Sequence, residues 1–283
     1  MESIEQFFER QLAAWPATRE RYNDLKKVKT RKVGELMLQF NPARMVSTGA
    51  KIDKATLEKR PCFLCSSNRP QEQITIDFGE AEFLVNPFPI LPNHYTIPLK
   101  KHEPQNLASL SSYINKILAI APNIMVFYNG PRCGASAPDH AHLQAGTSGL
   151  LPLQRLWKDS VEWHTAQNGE EIGLVKRYAC PVFVTKEKQP YKTNSYEWLQ
   201  YDFNLISWIE NNEKITLVIP RGKHRPECYN EGVLVSPGAL DMGGLIITPR
   251  EEDFNNIDAN TAANILAEVG ISMNEAEKPL QQL

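Results

Sequence analysis

The apolar positions change period along the chain, and the changes mark out short elements. Leu107, Leu110, Ile114, Ile117 and Leu118 fall at helical spacing, which predicts an amphipathic helix over Asn106–Ala121. A short helix is predicted from Glu2 to about Ala14, and β-like runs occupy Lys27 to Arg44. Ile74–Asp77, Phe83–Val85, Tyr95–Pro98 and Asn123–Tyr128 read as strands. So do Leu174–Tyr178, Phe203–Trp208, Ile215–Ile219 and Gly244–Thr248, before a last helix near Ala259–Ser272. The stretch WKDSVEWHT reads as polar and helix-like, with His164 as a surface residue. Twenty prolines, with scattered Asn and Gly, punctuate these elements. The order is a strand-rich α+β mixture without the regular alternation of a doubly wound sheet.

At 283 residues the chain can bury one large core or two modest ones. A formal net charge of −2 supplies no global basic field for a nucleic-acid backbone, so no nucleic-acid partner is expected. No apolar run approaches the length of a membrane span, and the N-terminal MESIEQFFERQL is acidic and amphipathic. Neither a membrane association nor a secretory signal is expected. Five cysteines at irregular spacing argue against a secreted disulfide framework, which leaves the cytoplasm as the expected compartment.

The chemistry concentrates in FYNGPRCGASAPDHAHLQAG, Phe127 to Gly146. On a strand alternate residues share a face, so His140, His142 and Gln144 project together. The small-residue run Gly134-Ala135-Ser136-Ala137-Pro138 leads into them. Backbone amides in such a loop can form a nest for phosphate oxygens, and histidine can act as a covalent nucleophile toward phosphorus. A lone H-x-H pair is weak evidence. The spacing G-x-S-x-P-x-H-x-H-x-Q behind an apolar strand is much more specific.

This segment resembles the active-site motif of the transferase branch of the histidine-triad superfamily. That branch contains galactose-1-phosphate uridylyltransferases and diadenosine tetraphosphate phosphorylases. The resemblance touches most of residues 55 to 255, in patches. It implies tandem histidine-triad-like halves with mainly antiparallel sheets flanked by helices, divided at about residues 1–150 and 151–283. The first half would hold the nucleophile, His142, with His140, Gln144 and Ser136 around it. The second half would shape the substrate pocket. His94-Tyr-Thr-Ile-Pro-Leu-Lys-Lys-His102 and Thr216-Leu-Val-Ile-Pro-Arg-Gly-Lys-His224 share I-P-x-x-x-H, and the duplication predicts that they occupy equivalent positions.

Cys62-Phe-Leu-Cys65 is the second chemical signal. A C-x-x-C pair can be half a zinc site, a redox dithiol or an accident, and zinc needs two further ligands. The text CFLCSSN resembles the zinc loop of galactose-1-phosphate uridylyltransferases, which implies Cys62, Cys65, His102 and His140 as a structural zinc set. Metal at that set would pin the strand carrying His142. Other patches resemble the phosphorylases. Asn86-Pro-Phe-Pro-Ile-Leu-Pro-Asn-His94 and Gln105 look like a nucleotide cradle, Phe203-Asn-Leu-Ile with Val218-Ile-Pro-Arg221 looks like the C-terminal signature, and Gly243-Gly-Leu-Ile-Ile-Thr-Pro249 resembles the strand that follows it. By that likeness Asn86 contacts ribose, Asn129, Ser136 and Gly134 contact phosphates, and Arg221 and Lys223 hold the second substrate's phosphates.

Together these imply a nucleotidyltransferase or phosphorylase working through a nucleotidyl-histidine. Its partners would be a nucleotide or nucleotide-sugar substrate and a phosphate-containing acceptor. Gln144 can donate a hydrogen bond but cannot shuttle a proton, which favours phosphate leaving groups and disfavours water as acceptor. A histidine-triad hydrolase and a non-catalytic zinc-stabilised nucleotide-binding protein are the competing classes. A duplicated chain can supply alone the two-halved body that single-domain relatives make by dimerising, so monomer and homodimer both fit.

Overall fold

A computed structural model describes the chain except residues 1, 50–55, 57–58, 167–168, 193–198 and 282–283. Thirteen strands are found among the described residues: β1 Lys29–Val33, β2 Leu36–Phe40, β3 Ile76–Phe78, β4 Ala81–Val85, β5 His94–Pro98, β6 Ile124–Asn129 and β7 His142–Thr147 precede β8 Val161–Thr165, β9 Glu171–Val175, β10 Val182–Glu187, β11 Asp202–Glu210, β12 Glu213–Arg221 and β13 Leu245–Thr248. Ten of them form one antiparallel sheet in the order β3-β4-β5-β7-β6-β11-β12-β10-β9-β8. Reading inward from either edge, three strands come in chain order, and the innermost strand precedes its neighbour in sequence. The five-strand pattern is therefore written twice, and β6 meets β11 at the centre through Asn129–Asn204 and Phe127–Ile206.

In this pattern β7 corresponds to β12, and β5 corresponds to β10. The two I-P-x-x-x-H segments consequently lie on unlike elements, one at the end of β5 and the other at the end of β12. Their likeness in sequence is a coincidence, and it is not the trace of the structural repeat. Gly244–Thr248 also leaves the main sheet. As β13 it pairs in parallel with β2, in a three-stranded sheet β1-β2-β13. What differs at corresponding points is the β6–β7 connection, a long loop, against the β11–β12 connection, Asn211-Asn212. Both asparagines take positive φ, 51° and 63°, as a two-residue hairpin turn demands. That tight turn removes the stretch of chain that in the first half carries the Gly/Ser loop.

Each face of the sheet is covered. On one, Phe7 and Phe8 of the helix Ile4–Ala14 and Ile114, Ile117 and Leu118 of the helix Ser111–Ile120 pack over Tyr95, Ile97, Leu143 and Leu205. On the other, β2, β13 and the helix Ala259–Val269 pack over Phe127, Ile206, Leu217 and Ile219. Burial on both sides explains why β5 and β6 are buried throughout rather than alternating. The first helix starts on a capping box, Ser3 with Gln6, and ends before Trp15-Pro16. The middle helix begins later than its periodicity predicts, because Asn106 Oδ1 accepts from Ala108 N–H and ties Asn106–Leu110 into turns. His164 is a correction: its segment is strand β8, where Val161 and Trp163 alternate with polar residues and Trp163 meets Trp157 edge-on at 6.5 Å. No helix among the described residues is long and apolar enough to cross a membrane.

Candidate active site

A cleft of about 650 Å3 opens beside β7 and is lined from both halves of the chain, among others by Asn86, Phe88, Asn129, Ser136, His142 and Gln144. His142 begins β7 and is buried. Its Nδ1 lies 2.8 Å from the carbonyl of His140, an acceptor only, so Nδ1 carries the hydrogen and Nε2 keeps its lone pair. Burial lowers the imidazole to about 4. His142 is thus neutral near pH 7, with one nitrogen ready to attack. Its backbone is clamped as well. The buried amide of Gln105 accepts from His142 N–H at 2.8 Å and donates to His142 O at 3.0 Å and Asn129 O at 2.9 Å.

Gln144 projects on the same face two residues on, and His94 orients it. His94 Nδ1 lies 3.2 Å from the backbone N–H of Ile90, which can only donate, so the ring hydrogen sits on Nε2. That nitrogen is 3.0 Å from Gln144 Oε1. The carboxamide oxygen is therefore engaged, and its NH2 is turned away from His94, a donor for anionic oxygen. Asn129 is fixed the same way. Its Oδ1 accepts from Asn204 Nδ2 at 2.8 Å and Ala239 N–H at 2.7 Å. Between these donors runs the small-residue loop. Among the described residues, the N–H groups of Gly134, Ala135 and Ser136 have no acceptor, and all three residues line the cleft. Gly134 takes φ +90° and sits so close to Gly238 that a Cβ would fall 2.7 Å from its Cα. Arg60 braces the loop, donating to Ser136 O at 2.9 Å and pairing with Asp139 at 3.2 Å.

The C-x-x-C pair meets the two predicted histidines. One donor atom from each of Cys62, Cys65, His102 and His140 lies within 4.8 Å of the others. Cys62 Sγ is 3.2 Å and Cys65 Sγ 3.6 Å from His140 Nδ1, and Cys65 Sγ is 3.2 Å from His102 Nδ1. A tetrahedral zinc with ordinary bond lengths gives S···N edges of about 3.6 Å, so the set is slightly contracted but of the right shape. His140 Nε2 donates to Leu99 O at 2.8 Å, which points the Nδ1 lone pair at the sulfurs. These four residues could hold a metal ion.

Asn86 lines the cleft but uses its side chain locally, accepting from Phe88 N–H at 2.8 Å and donating to Thr96 Oγ1 at 3.1 Å. The turn it closes presents Phe88 to the cleft, with the Arg21 guanidinium 4.4 Å from the ring centroid. Phe63 is the second exposed ring in the lining. Arg221 and Lys223 are not in that lining. Arg221 is buried, and its N–H groups go to Val269 O, Asn204 Oδ1, Pro237 O, Lys223 O and His224 O at 2.7–3.1 Å. All five guanidinium hydrogens are thereby committed. Lys223 Nζ pairs with Glu268 at 2.7 Å, on the surface. As arranged, Arg221 is spent on protein acceptors and Lys223 sits in a surface ion pair, both outside the lining of this cleft. The positioning role of His94 is not legible in sequence; there it only ends the N-P-F-P-I-L-P-N-H patch and begins the segment that runs to His102.

Residues 7–147 match the family described as Domain of unknown function (DUF4922). No curated protein matches the sequence at a significant level. Among solved structures, the chain is similar to a crystal structure of yeast Ap4A phosphorylase Apa2, at 15% identity and TM-score 0.57, covering 91% of this chain and 94% of that one. The same yeast protein in complex with Ap4A gives 16% identity and TM-score 0.59 over 91% and 97% of the two chains. In complex with AMP it gives 16% and 0.58 over 91% and 96%. At this identity the likeness is one of fold, and it is the α+β fold of tandem halves that the resemblance to the transferase branch implied.

Proposed function

We propose that the chain is a nucleotidyltransferase of the phosphorylase kind, acting at a nucleotide α-phosphorus through His142. The observation that carries the reading is the His142 tautomer: Nδ1–H is spent on His140 O, Nε2 keeps its lone pair, and His142 lines the cleft together with Gln144 and the small-residue loop. Nε2 attacks the α-phosphorus, the bond to the β-phosphate oxygen breaks, and a nucleotidyl-histidine remains. The negative charge that develops on the α-phosphoryl oxygens is met by Gln144 NH2 and the loop N–H groups, preorganised before substrate arrives. A phosphate-containing acceptor then takes the nucleotidyl group. Neither Gln144 nor a backbone amide gives up a proton in this scheme, which suits phosphate leaving groups and makes water a poor acceptor. Phe88 and Phe63 offer apolar faces for a base, and the Ap4A and AMP complexes of the yeast neighbour make a nucleotide the natural first ligand to try.

In this reading residues 1–150 carry the nucleophile, and residues 151–283 close the cleft. Zinc is the metal the Cys2His2 set favours. Its chemistry would be structural, holding the His140 ring, and His140 in turn holds His142 through its carbonyl.

The test is the covalent intermediate. Incubation with a nucleotide donor and no acceptor should leave a nucleoside monophosphate on the protein, stable to alkali, labile to mild acid and mapped by mass spectrometry to His142. Turnover in His142→Ala, or a label on another residue, overturns the proposal.

A further inference from the structure

The cleft carries one group that phosphate chemistry does not call for. Among the described residues that line it, four are arginines and one, Asp241, bears a carboxylate. A carboxylate repels phosphate oxygens, so its partners in a ligand must be hydrogen-bond donors. Asp241 is buried, with 8% of its surface exposed. Gly238 N–H donates to its Oδ2 and Ile247 N–H to its Oδ1, both at 2.9 Å, and among the described residues it makes no ion pair. A carboxylate offers about four lone-pair sites, so acceptor capacity remains on a group already fixed by two backbone bonds. Burial pushes its carboxyl up to about 6, which leaves it largely ionised at neutral pH, and every further donor stabilises a buried anion.

The backbone places Asp241 between two parts of the site. On one side Gly238 packs against the small-residue loop at Gly134, and Ala239 N–H holds Asn129 Oδ1 at 2.7 Å. On the other, Ile247 is the register partner of Gln39, whose Nε2 donates to Ile90 O at 3.3 Å, at the end of the turn that presents Phe88. With phosphate on the loop and a base against Phe88, the sugar falls beside Asp241. Asn86, expected at the ribose, has its side chain committed to Phe88 N–H and Thr96 Oγ1. We propose that Asp241 is the ribose-recognising residue of the cleft, its carboxylate accepting from the sugar's 2′,3′-diol and selecting ribonucleotides over their deoxy forms. The inference rests on the proposed function for where base and phosphate lie, and it names the sugar class of that same site.

The experiment measures affinity calorimetrically, with AMP, GMP, CMP and UMP as the ribo probes and the 2′-deoxy and 3′-deoxy forms of the tightest binder beside it. Loss of a hydrogen bond to a charged acceptor should weaken at least one deoxy form about 10- to 100-fold. Fluorine in place of that hydroxyl, which cannot donate, should cost as much as its removal. In Asp241→Asn the ratio of ribo to deoxy affinity should collapse toward one. Equal affinity for the ribo and both deoxy forms in the wild type overturns the assignment, and so does a ribose preference that persists in folded Asp241→Asn. If that variant does not fold, the fluoro forms decide: ribo-like affinity shows a donor on the protein and overturns the carboxylate. A ribose preference lost in Asp241→Asn, in a protein that forms no adduct, leaves the sugar site standing and removes the nucleotidyl-histidine. A wild type that binds none of the four probes overturns both.

Discussion

His94 Nε2 and Gln144 Oε1 lie 3.0 Å apart on neighbouring strands, and this contact sets the orientation of the carboxamide that lines the cleft. The direction is dictated from behind, since Ile90 N–H occupies Nδ1 and forces the hydrogen onto Nε2. The expected consequence is an asymmetric response to substitution. Gln144→Glu keeps an acceptor for His94 but removes the NH2 and adds negative charge beside the phosphoryl group. Adduct formation should slow by about 10²–10³-fold, the usual cost of one oxyanion donor, with the fold intact. Pre-steady-state labelling measures it, and a change under threefold would refute the orientation.

The same histidine makes the fold acid-sensitive. Burial, and next the charge of Arg44, lower His94 to about 3 from an ordinary 6.5. Between those values the unfolded chain binds the proton and the folded chain does not, so stability is complete above pH 6.5 and declines as pH falls. The His94 contribution lost by pH 5 is about 2 kcal/mol. Urea melts at pH 7 and 5 should show the loss, and His94→Asn should flatten that part of the slope. An identical slope in the variant would place the acid sensitivity elsewhere.

Much of this site was legible in sequence because its chemistry is local. Period-two spacing puts His142 and Gln144 on one face of β7, whereas His140, expected beside them, precedes the strand and turns its ring to Cys62 and Cys65. The small-residue run announces a tight loop. The C-x-x-C pair likewise declares itself within four residues. What escaped is what only the fold brings together. Arg221 looks like a ligand-binding cation in a basic turn, but it is a buried brace whose acceptors lie on Asn204, Pro237 and Val269, remote in sequence. The I-P-x-x-x-H likeness misled for the opposite reason, since it was local and the true correspondence, β7 with β12, lies in strand order. Strand β10 gave no signal strong enough to be named among the predicted elements, although Val182–Glu187 is a central partner of β12.

Gln105 is a further positioning residue, and its role is geometric. Its amide bridges β6 and β7 through Asn129 O and both backbone groups of His142. Gln105→Leu leaves three buried groups short of a partner and should cost roughly 2–4 kcal/mol. Gln105→Glu keeps the acceptor for His142 N–H and should cost less. In both, the adduct rate should fall more than nucleoside monophosphate affinity. Equal loss of both would make Gln105 a ligand contact instead of a brace.

The metal prediction is stoichiometric. Purified protein should contain about one zinc per chain by elemental analysis, held by Cys62, Cys65, His102 and His140. Cys62→Ser should release it and lower the melting temperature, with activity falling as a consequence, because the His140 carbonyl that fixes His142 Nδ1 is no longer pinned. A Cys62–Cys65 disulfide in protein purified under reducing conditions, or full activity in the zinc-free variant, would sink this account.

Gly134 offers the most local test of how the two halves join. Its φ of +90° is strained for any side chain, and a Cβ there would lie 2.7 Å from Gly238 Cα and 3.0 Å from Pro237 O, both backbone atoms of the second half. Gly134→Ala must therefore move one loop against the other, at a cost of about 1–3 kcal/mol. The displaced loop carries the Ala135 and Ser136 N–H groups, while Ala239, next to Gly238, anchors Asn129 through its N–H. Loss of donors on both sides predicts that nucleotide binding weakens along with adduct formation, unlike the Gln105 variants. Calorimetry with a nucleoside monophosphate distinguishes them, and wild-type affinity in Gly134→Ala would show that the loop amides do not reach the phosphate.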